Sequence, residues 1–142
     1  MIGNNYYDLA LNDRKWLLRS LQWDEDDIYN RQAVDCQQVV EKILKGLVET
    51  AELPAREIAE LLKTHNLKKL GLVINEEFGK HLNVSDLAYL KDYYFEARYP
   101  GDNFICVSKE ERDKCLEIMN DVIVELTDLL PEGFSTEQMN CF

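Results

Sequence analysis

The sequence predicts an all-α fold, an antiparallel up-and-down bundle of about five helices. Three observations carry that prediction. Apolar residues recur at steps of three and four along most of the 142 positions, and no segment shows the strict alternation of a half-buried strand. Six Gly and three Pro, with no low-complexity tract and no internal repeat, leave room only for short connections. Two Trp, seven Tyr and five Phe argue against disorder, and the chain is long enough for one core.

The first helix carries Tyr6, Leu9, Ala10, Trp16, Leu17 and Leu21 as its expected inward positions. It ends before the acidic run Asp24–Asp27, which suits the positive end of the next helix dipole. That second helix has the clearest stripe: Tyr29, Ala33, Cys36, Val40, Ile43, Leu47 and Ala51. Glu41 and Lys45 form an i,i+4 pair on its other side. Pro54 stops it, because the residue before proline disfavours the α conformation. Arg56–Lys63 then holds a short helical turn, with Ile58, Leu61 and Leu62 inward.

Thr64 or Asn66 caps the third helix, whose apolar positions are Leu67, Leu70, Ile74 and Phe78 and whose stop is Gly79. Asn83 or Ser85 caps the fourth, which places Leu87, Leu90, Tyr94 and Ala97 on one face and ends at Pro100-Gly101. Tyr89 and Tyr93 fall one turn apart on a neighbouring face. The fifth opens with the capping box Ser108 and Glu111 and carries Cys115, Met119, Val122, Leu126 and Leu129 to Pro131. The second and fifth stripes face each other, so Val40, Ile43, Leu44, Leu47, Met119, Val122 and Leu126 should lie deepest. Residues 1–131 are read as the bundle and Glu132–Phe142 as a mobile tail.

The formal net charge of −11 disfavours non-specific nucleic-acid binding, since a phosphate backbone repels such a surface. A basic protein partner or a small ligand in a pocket stays open. Cys36, Cys106, Cys115 and Cys141 show no CxxC pairing and no nearby His at ligand spacing, so reduced structural thiols are expected and no metal. With no signal peptide and no apolar run long enough to cross a bilayer, the expected location is cytoplasmic. Walker, GxGxxG, HExxH and nucleophile–base signatures are absent, and no cofactor is expected.

Three segments carry a resemblance: YNRQAVDCQQVVEKILKGL at Tyr29–Leu47, THNLKKL at Thr64–Leu70 and DYYFEARYP at Asp92–Pro100. In this order they resemble the small all-helical HEPN domains of prokaryotes, over a stretch from about Tyr7 to Pro131. The resemblance implies a helical bundle of the type found beside nucleotidyltransferases, where it helps hold substrate. It also implies a choice, because HEPN domains divide into RNases and non-catalytic binding partners. In many of the nucleases an arginine is followed a few residues later by a histidine, the pair acting on the RNA 2′-hydroxyl and the scissile phosphate. Here Arg98 is followed by Tyr99, Pro100, Gly101, Asp102, Asn103, Phe104 and Ile105, and no histidine occurs after His81. Asn103 stands where the histidine would, and an amide is no general acid or base.

The expected reading is therefore a binding module with no catalytic residue of its own. It would pair with a small nucleotidyltransferase, or hold a nucleotide-like anion near Arg98, Tyr99, Asn103, Tyr93 and His65, or do both, and form a homodimer through a face that includes Tyr89 and Tyr93. The rivals are a toxin-type, metal-independent endoribonuclease of a toxin–antitoxin pair with an atypical site, and a structural or regulatory interaction protein. Arg98 itself has three readings: a helix-end cation, an anion contact, or half of a partner salt bridge. His65 is either a local helix-start residue or part of a basic spot with Lys63, Lys68 and Lys69. Asp13, near the inward side of the first helix, needs a cation, for which Arg31 and Arg98 are the candidates.

Overall fold

The chain opens with α1, Tyr6–Ser20, whose N-terminus is closed by Asn5 accepting a hydrogen bond from the Asp8 amide. The structure, a computed structural model, describes residues 2–23 and 25–134. A 3₁₀ turn, Asp26–Ile28, leads into α2, Tyr29–Val48. Beyond Pro54 comes α3, Ala55–Lys63, a full helix of nine residues where a single turn was expected. α4, Leu67–Phe78, is capped by Asn66 and closed by Gly79 at φ +62, a left-handed position that suits glycine. Asn83 caps α5, Val84–Lys91, and a break at Asp92 separates it from the single turn α6, Tyr93–Glu96. Ser108 and Glu111 form the expected capping box at the start of α7, Lys109–Leu126, which runs on into a 3₁₀ turn. No strand occurs among the described residues.

α2 is the axis of the bundle: it packs against each of the other six helices. That is why its apolar stripe is so wide, and why Val40, Ile43, Leu44 and Leu47 are buried. Met119, Val122 and Leu126 of α7 are buried opposite, as the facing stripes predict. α1 approaches α2 closely at Gly46, where an added Cβ would lie 2.7 Å from the Tyr7 ring. No helix among the described residues is long and apolar enough to cross a membrane.

Burial corrects several expectations. On α1 the inward face is Ala10, Arg14, Leu17 and Ser20, whereas Leu9 and Trp16 are exposed. α1 carries two apolar lines, and only the one through Ala10 and Leu17 meets α2. The Glu41–Lys45 pair does not face solvent: both side chains are 7% exposed, 3.2 Å apart, with Gln37 donating to Glu41 at 3.0 Å. A charge pair with a third hydrogen-bonding partner can be buried in this way without leaving an uncompensated ion. A second polar cluster ties α1, α2 and α7. Gln32 donates to the Ser20 carbonyl and hydroxyl and accepts from Arg112 at 2.5 Å.

Tyr93 and Tyr94 exchange the places expected of them. Tyr93 is 3% exposed, and its hydroxyl donates to Glu111 at 3.1 Å and lies 2.8 Å from the Tyr89 hydroxyl. Tyr94 is half-buried on the outside. The steps 87, 90, 93 and 97 are as helical as 87, 90, 94 and 97, and the break at Asp92 selects the first set. A dimer face containing Tyr93 is thereby lost. The tail reading is also corrected at its start: Phe134 is buried, edge-to-face with Tyr7, and the Gly133 carbonyl accepts from Arg14. Residues 135–142, with Cys141, lie outside the described residues. Cys36 and Cys115 are free and buried, and burial pushes the Cys115 thiol up to about 12 and the Cys36 thiol well above its ordinary value. Both therefore stay protonated and inert, consistent with packing roles.

Candidate functional site at the Arg98 turn

The loop from Ala97 to Val107 is held at its neck by one side chain of α2. Asn30 donates to the Ala97 carbonyl at 2.9 Å and to the Ile105 carbonyl at 2.7 Å, and accepts from the Val107 amide at 2.8 Å. The Ile105 amide returns to the Glu96 carbonyl at 2.6 Å, and the Phe104 amide to Gly101 at 3.2 Å. Gly101 sits at φ +152, outside the range other residues adopt readily. Arg98 is thus carried on a turn pinned at both ends.

The Arg98 guanidinium carbon lies 5.2 Å from the Tyr94 ring centre and 5.3 Å from that of Tyr99. Both distances are within cation–π reach. The His65 ring stacks on the same Tyr94 at 4.6 Å and 15°. His65 Nδ1 is 3.1 and 3.2 Å from the two Glu41 carboxylate oxygens, and an ionised carboxylate only accepts, so Nδ1 carries the proton there. The row His65, Tyr94, Arg98, Tyr99 therefore runs from the buried Glu41–Lys45 pair out to solvent.

Arg98 opens on a cleft of about 520 Å³ between α1, α2 and the turn. Arg31 and Lys42 also line it, but each is matched by a carboxylate: Arg31 by Asp35 at 3.3 Å, and Lys42 by Asp13. Asp13 thus takes Lys42, neither of the arginines expected. Burial pushes the Asp35 carboxyl up to about 6, with Arg31 opposing the shift. Among the described residues Arg98 has no carboxylate partner. Two tyrosine rings lie within reach of its positive charge, and Asp27 lines the same cleft.

Of the expected ligand residues, the structure brings together Arg98, Tyr99 and, through Tyr94, His65. Asn103 is exposed on the same turn. Tyr93 does not line the cleft, because its hydroxyl is turned to α7. The basic spot at the α4 start loses its histidine to Glu41, while Asn66 takes the Lys69 amide. Sequence reasoning missed Asn30, Tyr94 and the cleft wall of α2. A signal for that wall existed: Arg31, Asp35, Gln38 and Lys42 repeat at helical spacing opposite the apolar stripe. No group of His, Cys, Asp and Glu that could hold a metal occurs among the described residues.

Fold and turn together define a helical bundle built on a central helix, with an arginine presented from a clamped loop. The model of the HEPN domain family matches residues 15–129, most of the chain, and the protein belongs to that family. No curated protein and no solved structure matches it.

Proposed function

We propose that this HEPN domain is a binding module that takes an anionic, nucleotide-like group at the Arg98 turn, without catalysis of its own. One observation carries the reading. Arg98 is the cleft cation without a carboxylate partner among the described residues, and it is held between two tyrosine rings over a 520 Å³ cleft. Such a guanidinium can take a phosphate bidentately while the exposed Tyr99 ring stacks a base. Within the overall charge of −11, this local arrangement suits a small anion better than a long polyanion. A small nucleotidyltransferase, whose substrate such a module would help to hold, is the partner class we propose.

The test is calorimetric titration of the protein with nucleoside mono- and triphosphates. Binding should weaken by about 1.5–3 kcal/mol in Arg98→Ala, the scale of a hydrogen bond to a charged group. Unaltered binding in a folded Arg98→Ala protein overturns the reading. A second reading, the endoribonuclease, is favoured by the Glu41–His65 pair, which supplies an oriented imidazole that shares Tyr94 with Arg98. Metal-independent cleavage of single-stranded RNA, lost in both His65→Ala and Arg98→Ala, would replace the binding reading with that one.

A further inference from the structure

The cleft at the Arg98 turn is lined by three carboxylates, Asp13, Asp27 and Asp35, and by three cations, Arg31, Lys42 and Arg98. Two of the cations are bridged, and the two bridges differ in kind. Lys42 and Asp13 tie α2 to α1, and both side chains are largely covered. Arg31 and Asp35 stand one turn apart on α2 alone, so parting them breaks no contact between helices. The Arg31 side chain is 77% exposed and holds Asp35 by one Nε bond of 3.3 Å, long for a charged pair. Its two terminal nitrogens bond no protein group among the described residues. The Asp35 side chain is 18% exposed, and burial raises its carboxyl to about 6, so this carboxylate is poorly compensated. Arg31 also starts close to Arg98, because its neighbour Asn30 donates to the Ala97 carbonyl at 2.9 Å.

Resting on the anion reading of the Arg98 turn, we infer that Arg31 is the second arm of the site. It leaves Asp35 to grip the phosphate held by Arg98, and the ligand is a terminal phosphate, not a backbone diester. An exposed i,i+4 pair holds its partners weakly, whereas two guanidinium forks on one phosphate make charge-assisted bonds from both sides. A terminal phosphate offers three unesterified oxygens to those forks, where a diester offers two. Asp35 acts as a brake on the exchange. While ionised it retains Arg31 and repels the phosphate; once protonated it does neither. The other charges that bear on it do not replace that role. Asp13 of α1 is held by Lys42, Asp27 of the 3₁₀ turn is exposed to screening by water, and Arg98 is already committed to the ligand.

The test is calorimetric titration of AMP and of 3′,5′-cyclic AMP into wild type, Arg98→Ala, Arg31→Ala, Asp35→Asn and the Arg31→Ala/Asp35→Asn double variant. Arg31 is exposed and asparagine has the shape of aspartate, so the new variants should keep the helical circular dichroism of wild type. Arg31→Ala should weaken AMP binding about tenfold. Asp35→Asn should tighten it about threefold at pH 8, because Arg31 is released. That gain should vanish in the double variant, since a mere loss of negative charge would help with or without Arg31. It should also shrink below about pH 5, where wild-type Asp35 is itself protonated. The cyclic diester should bind wild type about tenfold more weakly than AMP. AMP binding that needs Arg98 but not Arg31 overturns this inference and leaves the Arg98 reading standing. A gain that persists in the double variant or in acid, or equal binding of the two nucleotides, overturns it as well. Binding of neither nucleotide overturns the Arg98 reading and this inference with it.

Discussion

Replacing Asn30 with Ala should loosen the Arg98 turn more than any other single change at an outward position of α2. The side chain makes three hydrogen bonds, at 2.9, 2.7 and 2.8 Å, to backbone groups of Ala97, Ile105 and Val107. A net value near 1 kcal/mol each gives a loss of about 3 kcal/mol. Partial exposure of the site lets water replace some of these bonds, which brings the expected loss to roughly 2 kcal/mol. Urea denaturation followed by circular dichroism measures it as a shift of midpoint at constant slope. Asn30→Asp sharpens the test. The carboxylate could still accept from the Val107 amide, but it would face the Ala97 and Ile105 carbonyls with no proton to donate. It should therefore be no better than alanine above neutral pH and should recover as the carboxyl is protonated. A loss under 0.5 kcal/mol in Asn30→Ala, or an Asn30→Asp protein as stable as wild type at pH 8, would refute the clamp.

Truncating Ile43, fully buried between α2 and its neighbours, to Ala should cost about 2–5 kcal/mol in the same denaturation assay. A neutral result would contradict the packing of the bundle core. Asp35 supplies a pH dependence. Its carboxyl is raised to about 6 from an ordinary 3.8, so the folded state holds a proton the unfolded state releases, and folding is penalised as pH rises through about 6. Asp35→Asn should remove that penalty, raising stability at pH 8 by roughly 1 kcal/mol after discount for partial exposure and the lost Arg31 pair, with the gain vanishing below pH 4.

The parts of this fold that were legible in the sequence are those fixed by neighbours within a turn or two. The α2 stripe, the Ser108–Glu111 box and the caps at Asn66 and Asn83 need only residues three or four apart to interact. Where the structure departed from expectation, the deciding contact was distant. Glu41 and Lys45 were visible as a pair, but their burial depends on α2 being surrounded by six helices, which no local pattern reports. Leu9 and Trp16 were as apolar as Ala10 and Leu17; which line turned inward was settled by α2.

The site shows the same division more sharply. Arg98 and Tyr99 were picked out from a single segment, because an arginine before a proline-stopped turn is a local feature. What gives Arg98 its surroundings comes from elsewhere in the chain: Asn30 reaches across 67 to 77 residues to clamp the loop, and His65 reaches Glu41 across 24. The missing histidine after Arg98 is a statement about one segment too, and it does not by itself empty the neighbourhood of imidazole. Folding returns one from α4's approach, stacked on Tyr94 and oriented by a buried carboxylate. The division between a binding HEPN domain and a cleaving one therefore turns on whether His65 can reach a phosphate held by Arg98, past the ring of Tyr94 that both of them touch. Both contacts are to one ring, with His65 stacked on it at 4.6 Å and the Arg98 guanidinium carbon 5.2 Å from its centre, so nucleotide binding without RNA cleavage by the wild-type protein is the outcome expected of the binding reading.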